Sequence, residues 1–166
     1  MSKSPAPVDV FAISIATAGG AGFAPIAPGT WGTAVAVPLA FLLAGVPLWI
    51  FGAVTAAVIL VGIWAAGRAD AFWGTHDSGR IVIDEVAGYF VTVALVDRSQ
   101  WWILIVGFFV FRAFDIVKPP PVRAIDKRMD NAAGVVLDDV AAGIQGAVVM
   151  LALDYFGAFD ALISRL

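Results

Sequence analysis

Residues 34–67 read AVAVPLAFLLAGVPLWIFGAVTAAVILVGIWAAG, a run of 34 residues without a charged side chain. A helix that crosses a membrane needs about 20 apolar residues, so this run is too long for a single helix. Gly45, Val46 and Pro47 interrupt it, and Gly and Pro together are typical of a turn between helices. The sequence therefore predicts a tight hairpin of two helices, residues 31–44 and 47–67. The first would rise only about 21 Å, short of the roughly 30 Å hydrocarbon core of a bilayer.

Three more apolar segments follow the hairpin, at residues 81–96, 101–117 and 132–153. A short turn at 97–100 separates the first two, and a polar loop at 118–131 separates the last two. We therefore expect an all-α fold, a compact multi-helix membrane bundle of about five hydrophobic helical segments. The sequence shows no internal repeat or linker, so we expect one membrane domain over residues 1–166.

The composition excludes several classes of protein. Of the 166 residues, 61% are hydrophobic and 14% are charged, with a mean hydropathy of +0.93. A soluble domain has roughly 25% charged residues, so most of this surface is expected to face lipid. Cys is absent, which excludes a disulfide scaffold, a thiolate zinc site and a cysteine nucleophile. A net charge of -3 gives no basic field for nucleic acid, so the expected partners are membrane lipids. Nothing in the sequence indicates an oligomeric state.

The positions of the bases predict an orientation, because Lys and Arg in short loops stay on the cytoplasmic side of a membrane. Loop 118–131 carries four bases, namely Lys118, Arg123, Lys127 and Arg128. Placing that loop in the cytoplasm also places Arg68 and Arg80 there, and it leaves Arg98 outside in a turn balanced by Asp97. We expect an integral membrane protein of the cytoplasmic membrane with this topology.

Charged residues inside the apolar segments gather toward the predicted cytoplasmic end. They are Asp84 and Glu85 in the third segment, Arg112 and Asp115 in the fourth, and Asp138 and Asp139 in the fifth. A charge near the bilayer centre costs about 2.5 to 3.5 kcal/mol, and less near the interface, so six converging charges indicate a polar site. The alternative is that they snorkel or form ion pairs between helices. For Arg112 and Asp115, three residues apart, an ion pair is at least as good an explanation.

The two adjacent acidic pairs are harder to explain without a ligand, because neighbouring carboxylates repel each other and a divalent cation relieves the repulsion. Carboxylate oxygens with no Cys and a single His suit Mg²⁺, or alternatively Mn²⁺, better than zinc. Mg²⁺ also suits a phosphate substrate. His76 is either an interfacial histidine or part of this site, and its neighbour Asp77 supports the second interpretation.

A glycine- and proline-rich stretch precedes the hairpin, with the pattern Gly20-x-Gly22-x-x-Pro25-x-x-Pro28-Gly29-Thr30-x-Gly32. It matches neither the dinucleotide fingerprint nor the Walker A loop. It is either a rigid turn that lets helices pack closely or a cradle for a phosphate or headgroup. Thr30 lies near the start of a helix, with free backbone N–H groups around Gly29 and Gly32, which favours the cradle.

Three further blocks accompany this stretch: His76-Asp77-x-Gly79-x-Ile81-Val82-x-Asp84-Glu85-x-x-Gly88, Phe111-Arg112-x-x-Asp115-x-x-Lys118-Pro119-x-Pro121, and Asp138-Asp139-x-x-Ala142-Gly143. In order and spacing the four blocks resemble the phosphatidylglycerophosphatase A family. Its members are membrane enzymes that remove the terminal phosphate of phosphatidylglycerophosphate to give phosphatidylglycerol. The resemblance covers residues 20–146. One departure is Asn131-Ala132-Ala133, where the family usually carries a Gly-Gly pair before Gly134.

The resemblance implies a phosphoric monoester hydrolase of the bacterial inner membrane, active on the cytoplasmic side through water activated by Mg²⁺. Its implied metal ligands, with a general base among them, are Asp84, Glu85, Asp138 and Asp139, and Asp115 is a further ligand or the base. The implied substrate-binding residues are Thr30, His76, Asp77, Arg112 and Lys118. For Arg112 and Lys118, charge neutralisation on the phosphate competes with anchoring at the headgroup interface.

Two other functions compete with the hydrolase. A transport module or ion pathway would also carry intramembrane carboxylates, but it predicts charges spread through the bilayer. A structural membrane subunit would use charged pairs to assemble helices, but it leaves both acidic pairs uncompensated. We take the phosphatase as the leading hypothesis and the transport module as the alternative.

Overall fold

The computed structural model describes residues 5–120, 122–123 and 131–163. Its helices are α1 (Pro7–Ala16), α2 (Pro28–Leu42), α3 (Leu48–Trp73), α4 (Ile83–Val93), α5 (Trp101–Val117), α6 (Ala132–Tyr155) and α7 (Ala158–Ile163), with a 3-10 segment at Ala18–Phe23. The described residues contain no β-strand, which confirms the all-α class. Each of the five predicted hydrophobic segments contains a helix. The structure adds α1, which was not predicted, so the number of five helical segments is not confirmed. Pro121, Lys127 and Arg128 lie outside the described residues.

The hairpin of α2 and α3 forms where the sequence predicts it, but α3 continues beyond residue 67. Pro28 opens α2, a position that suits proline because the first helical N–H needs no partner. Helix α3 ends at Gly74, whose left-handed conformation (φ 67°) closes the last turn. Arg68 and Asp70, which follow the predicted end of the helix at residue 67, therefore lie within α3. Arg68 forms an ion pair with Asp9 of α1 at 2.5 Å.

Helix α4 is the centre of the bundle, in contact with α2, α3, α5 and α6. It has 11 residues, so it rises only about 16 Å and cannot cross a bilayer. The predicted segment 81–96 is thus a short, enclosed core helix. Tyr89 and Phe90 are buried on it, and the Tyr89 hydroxyl donates to the Leu104 carbonyl at 2.9 Å. Neighbouring helices contribute Phe51 and Phe111 to the same core.

Helices α4 and α6 meet at a contact between their backbones. A Cβ atom on Gly143 would lie 2.3 Å from the carbonyl oxygen of Gly88, and one on Gly88 would lie 2.5 Å from the carbonyl oxygen of Asp139. Next to this contact, the Thr92 hydroxyl hydrogen-bonds to the carbonyls of Gly88 and Gly143 at 3.0 and 3.3 Å. A Cβ atom on Gly146 would likewise lie 2.9 Å from the Thr92 hydroxyl oxygen, so Gly143 and Gly146 both serve the close packing of the two helices.

Among the described residues, α3 and α6 are long and apolar enough to cross a membrane. Each has one face against the bundle and another that exposes large apolar side chains, such as Trp49 and Leu60 on α3 and Ile144 and Val148 on α6. An exposed apolar surface of this kind is compatible with a membrane protein.

Arg98 lies in the turn after α4, next to Asp97, and it is more deeply buried than a turn residue usually is, with 7% exposed. Its guanidinium donates to the carbonyls of Ala94 and Val46 and lies 4.1 Å from the ring centroid of Phe51. Asp97 accepts hydrogen bonds from the Ser99 hydroxyl and amide, which lower the pKa of Asp97, and the charge of Arg98 lowers it further.

Substitution of Gly143 should therefore destabilise the protein. In Gly143→Ala the new methyl group has no space against Gly88, and overpacking of this kind costs about 1 to 3 kcal/mol. The matched control is Gly52→Ala on the exposed face of α3, where a Cβ meets nothing within 4 Å. There alanine should be neutral or stabilise the helix by up to about 1 kcal/mol. Unfolding of both variants in detergent measures the difference, and equal midpoints would contradict the backbone contact.

Candidate active site

Five parts of the chain meet at one end of the bundle. They are the N-termini of α2, α4 and α6, the loop after α3, and the C-terminus of α5. Between them lies a cavity of about 440 Å³. Every residue of the predicted site except Thr30 lines it: His76, Asp77, Asp84, Glu85, Arg112, Asp115, Lys118, Asp138 and Asp139. The up-and-down path of the helices thus brings together charges that are far apart in the sequence.

Thr30 does not line the cavity. The three residues before it, Ala27, Pro28 and Gly29, do so instead. The Thr30 amide donates to the carbonyl of Ala27 at 2.9 Å. Gly29, near which the cradle hypothesis expects free N–H groups, does line the cavity, so the start of α2 reaches the site through its first residues.

Three carboxylates form the centre of the site. Asp84, Glu85 and Asp139 each offer an oxygen, and these three oxygens lie within 4.8 Å of one another. Asp84 and Asp139 are buried, 8% and 4% exposed. Glu85 Oε2 and Asp139 Oδ2 are also buried and have no hydrogen-bond partner among the described residues. Three buried carboxylates of like charge, two of them with an oxygen that no donor contacts, are unfavourable alone, so the arrangement fits a bound cation.

Asp138 is separated from this cluster although it is next to Asp139. Successive residues of a helix point about 100° apart, so the two side chains leave α6 in different directions. Asp138 forms an ion pair with Lys118, whereas Asp139 faces α4. Of the four predicted metal ligands, Asp84, Glu85 and Asp139 therefore lie together, whereas Asp138 is paired with Lys118.

Arg112 lies between the cluster and Asp115. It pairs with Asp115 one turn later on α5, and its Nη1 atom lies 3.6 Å from Glu85 Oε1. All three side chains are between 12% and 15% exposed, so the electrostatic attraction between their charges is stronger than it would be in water. Arg112 thus carries positive charge into the cavity beside the carboxylates.

The rim of the cavity contains strained backbone. Ala27, Asp77 and Lys118 have φ angles of 49°, 52° and 45°, in the left-handed region that side chains other than glycine rarely adopt. At Lys118 this conformation ends α5 and turns the chain so that the ammonium group meets Asp138. Such strain costs of order 1 to 3 kcal/mol per residue and is typical of functional sites.

Asp70 organises the loop that carries His76 and Asp77, and the sequence analysis missed it. Its buried carboxylate accepts hydrogen bonds from the Thr75 hydroxyl at 3.1 Å and from the amides of Asp77 and Ser78 at 2.9 and 3.2 Å. An acid in the last turn of a helix opposes the helix dipole. Its presence there was the available signal that the following loop would supply donors.

Comparison with known proteins identifies the family. The family model for phosphatidylglycerophosphatase A matches residues 14–154, most of the chain. The chain belongs to the phosphatidylglycerophosphatase A family. It is accordingly a phosphatase, which confirms the predicted class of enzyme. The matched range extends the sequence resemblance at both ends.

The individual relatives agree with this membership. The chain is 37% identical to phosphatidylglycerophosphatase A of Haemophilus influenzae over 82% of this chain and 85% of the relative. It is 32% identical to the Escherichia coli enzyme of the same name, over 79% and 76%. A Bacteroides thetaiotaomicron protein, named as a candidate phosphatidylinositol-3-phosphatase, is 38% identical over 83% and 90%. No solved structure matches the chain.

Gly29 offers a direct test of the site geometry. A Cβ atom there would lie 1.9 Å from Glu85 Oε1 and 3.2 Å from Arg112 Nη1. Because a glutamate side chain can rotate away, Gly29→Ala should keep the fold but displace Glu85, with a loss of turnover of about tenfold or more. The control is Gly45→Ala in the distant hairpin turn, where a Cβ meets nothing within 4 Å. Phosphate release measures both variants, and an unchanged rate for Gly29→Ala would refute the placement of Glu85.

Asp70 should influence turnover without touching the substrate. Asp70→Asn replaces one acceptor oxygen by a donor, so at least one of the three loop bonds is lost. We expect kcat/KM to fall about tenfold as His76 and Asp77 lose their positions. Asp9→Asn, which weakens the ion pair with Arg68 and the capping bond from the Ala6 amide outside the cavity, should change it little. If both variants keep full kcat/KM, the loop does not depend on Asp70.

Proposed function

We propose that this protein hydrolyses phosphatidylglycerophosphate to phosphatidylglycerol and phosphate, with Mg²⁺ as its cofactor. The observation that carries the proposal is the buried cluster of Asp84, Glu85 and Asp139 beside Arg112 in a cavity that also contains Lys118. Carboxylates that hold a cation and bases that hold an anion are the two requirements of a metal-dependent phosphatase. The names of two relatives supply the substrate.

The donor set fits Mg²⁺. All three clustered ligands are carboxylates, and Mg²⁺ takes one or two such oxygens directly while water and phosphate oxygens complete its octahedron. The unpartnered oxygens of Glu85 and Asp139 are the natural contacts of the ion. Mn²⁺ accepts the same ligands and is the alternative ion. A divalent cation bound there supplies a Lewis acid for the phosphoryl oxygens and lowers the pKa of water.

The surrounding residues then have separate roles. Arg112 and Lys118 bind phosphate oxygens, exchanging part of their contact with Asp115 and Asp138 for contact with the substrate. We assign Asp115 as the acceptor of the proton from the attacking water, at Oδ1, because its other oxygen is held by Arg112. His76 and Asp77 line the cavity on the side of the Asp70 loop, where we place the headgroup.

The proposed setting is the inner face of a bacterial cytoplasmic membrane, with the whole chain forming one multi-helix membrane domain. Lys118 and Arg123, at the charged end of the bundle, support the cytoplasmic orientation. With the cavity at that interface, the acyl chains of the lipid stay in the leaflet while its phosphate reaches the polar end. The clustering of acids at one end favours this hydrolase over a transport pathway.

The test is phosphate release from phosphatidylglycerophosphate in detergent micelles, with Mg²⁺ and with EDTA. We expect turnover to require the metal and to fall at least about a hundredfold in Asp84→Asn, Glu85→Gln and Asp139→Asn, since each loses a charged ligand. Asp97→Asn, at the opposite end of the bundle, is the matched control and should retain activity. Full turnover in EDTA or in the cluster variants would overturn the proposed site.

The same assay examines the substrate. The Bacteroides relative makes phosphatidylinositol 3-phosphate the second lipid to assay. Higher kcat/KM for that lipid would replace the proposed substrate while keeping the class of enzyme. Ion flux through vesicles without any phosphate release would favour the transport module instead.

A further inference from the structure

A second cavity lies between α2 and α5, on the apolar part of the bundle. It has a volume of about 270 Å³ and is lined by Ala34, Val37, Pro38, Ile105, Phe108 and Phe109. All six side chains are apolar, and Ile105 and Phe109 are 39% and 65% exposed, so this groove opens to the outside of the bundle. We propose that it holds one acyl chain of the lipid substrate. The inference rests on the proposed function, because it concerns the lipid whose phosphate enters the polar cavity.

The groove continues the interface that begins at the active site. Gly29 of α2 and Arg112 of α5 both line the polar cavity, and a Cβ on Gly29 would lie 3.2 Å from Arg112 Nη1. Ala34 follows Gly29 by five residues, about 7.5 Å along α2, and Phe108 precedes Arg112 by four, about 6 Å along α5. The same helix pair thus presents charge first and an apolar groove one to two turns further on. A phospholipid has the same order, with phosphate, then glycerol, then acyl chain.

The sequence of α2 explains why a groove exists between two packed helices. Ala34 has a small side chain, and Pro38 one turn later lacks the N–H that would bond to the Ala34 carbonyl. Proline also clashes with the carbonyl four residues before it and bends a helix at that place. On the other wall, Phe108 and Phe109 extend large flat surfaces. The groove between α2 and these rings is lined by apolar side chains, which suits a hydrocarbon chain.

The energetic role of this groove is orientation. A chain that leaves the lipid leaflet for the groove exchanges one apolar environment for another, so it gains little transfer free energy. What it gains is a fixed direction, which holds the glycerol and phosphate in register with the carboxylate cluster. Misplacement by about 1 Å can cost a hundredfold in rate, so a groove of this kind can affect turnover strongly.

The test fills the groove and compares two substrates. Ala34→Leu places a larger side chain in it, and we measure kcat/KM for dioleoyl phosphatidylglycerophosphate and for the water-soluble dibutanoyl analogue. The ratio of long-chain to short-chain kcat/KM should fall about tenfold relative to the wild type. Ala57→Leu, the same substitution at an exposed position of α3 away from the groove, is the control and should keep the wild-type ratio. Phe109→Ala changes the opposite wall at a largely exposed residue, so it keeps the fold and should also lower the ratio.

The outcomes separate this inference from the proposed function. If the wild type hydrolyses neither substrate, the proposed function fails and the groove proposal fails with it. If the wild type is active but both groove variants keep its ratio, only the acyl-chain site is overturned. A change in oligomeric mass of Ala34→Leu in detergent, with an unchanged ratio, would show that the groove holds another helix and would overturn it as well.

Discussion

The contact between the backbones of Gly88 and Gly143 is the constraint on which the rest of the structure depends. It lets α4 and α6 approach so closely that no side chain fits between them at this point. Asp84 and Glu85 lie one turn before Gly88, and Asp139 lies one turn before Gly143. The first turn of α4 is therefore held beside the acidic turn of α6, and three carboxylate oxygens come within 4.8 Å of one another. The geometry of the carboxylate cluster thus follows from a packing contact between two glycines.

The central position of α4 also explains how a chain with so few charges can concentrate them. An 11-residue helix enclosed by four others is too short to reach both ends of the bundle. Its N-terminus opens into the polar cavity, and its remaining length forms core with Tyr89 and Phe90. Charges at that N-terminus are enclosed by the neighbouring helices. Burial of these charges is unfavourable, and the positive charge of Arg112 offsets part of that free energy. In our proposal a divalent cation offsets the rest.

The sequence predicted what depends on local pattern. Long apolar runs predicted the hairpin and the later helices. The acidic residues near one end of the apolar segments predicted that Asp84, Glu85 and Asp139 lie close together. It could not predict features that depend on which helices touch. The burial of Arg98 over Phe51 arises from tertiary contacts and has no local motif. The loop bonds of Asp70 are local, but Asp70 lies beyond the predicted end of the helix at residue 67, so its place in the last turn of α3 was not foreseen. Whether Thr30 or the residue before it lines the cavity depends on how the first turn of α2 packs, and here Gly29 lines it.

An apolar exterior and a charged cavity are two parts of the same requirement. An enzyme that acts on a lipid phosphate must keep hydrocarbon and phosphate in their own environments while it brings the ester bond to its ligands. In this chain α2 and α5 contribute to both, with Gly29 and Arg112 at the polar end and the groove near Ala34 and Phe108 further along. In our proposal the distance between the two sites follows from the helical rise between Gly29 and Ala34 on α2 and between Phe108 and Arg112 on α5. Two packed helices can therefore hold the headgroup of a lipid at a fixed distance from its acyl chain, which a mobile loop could not do.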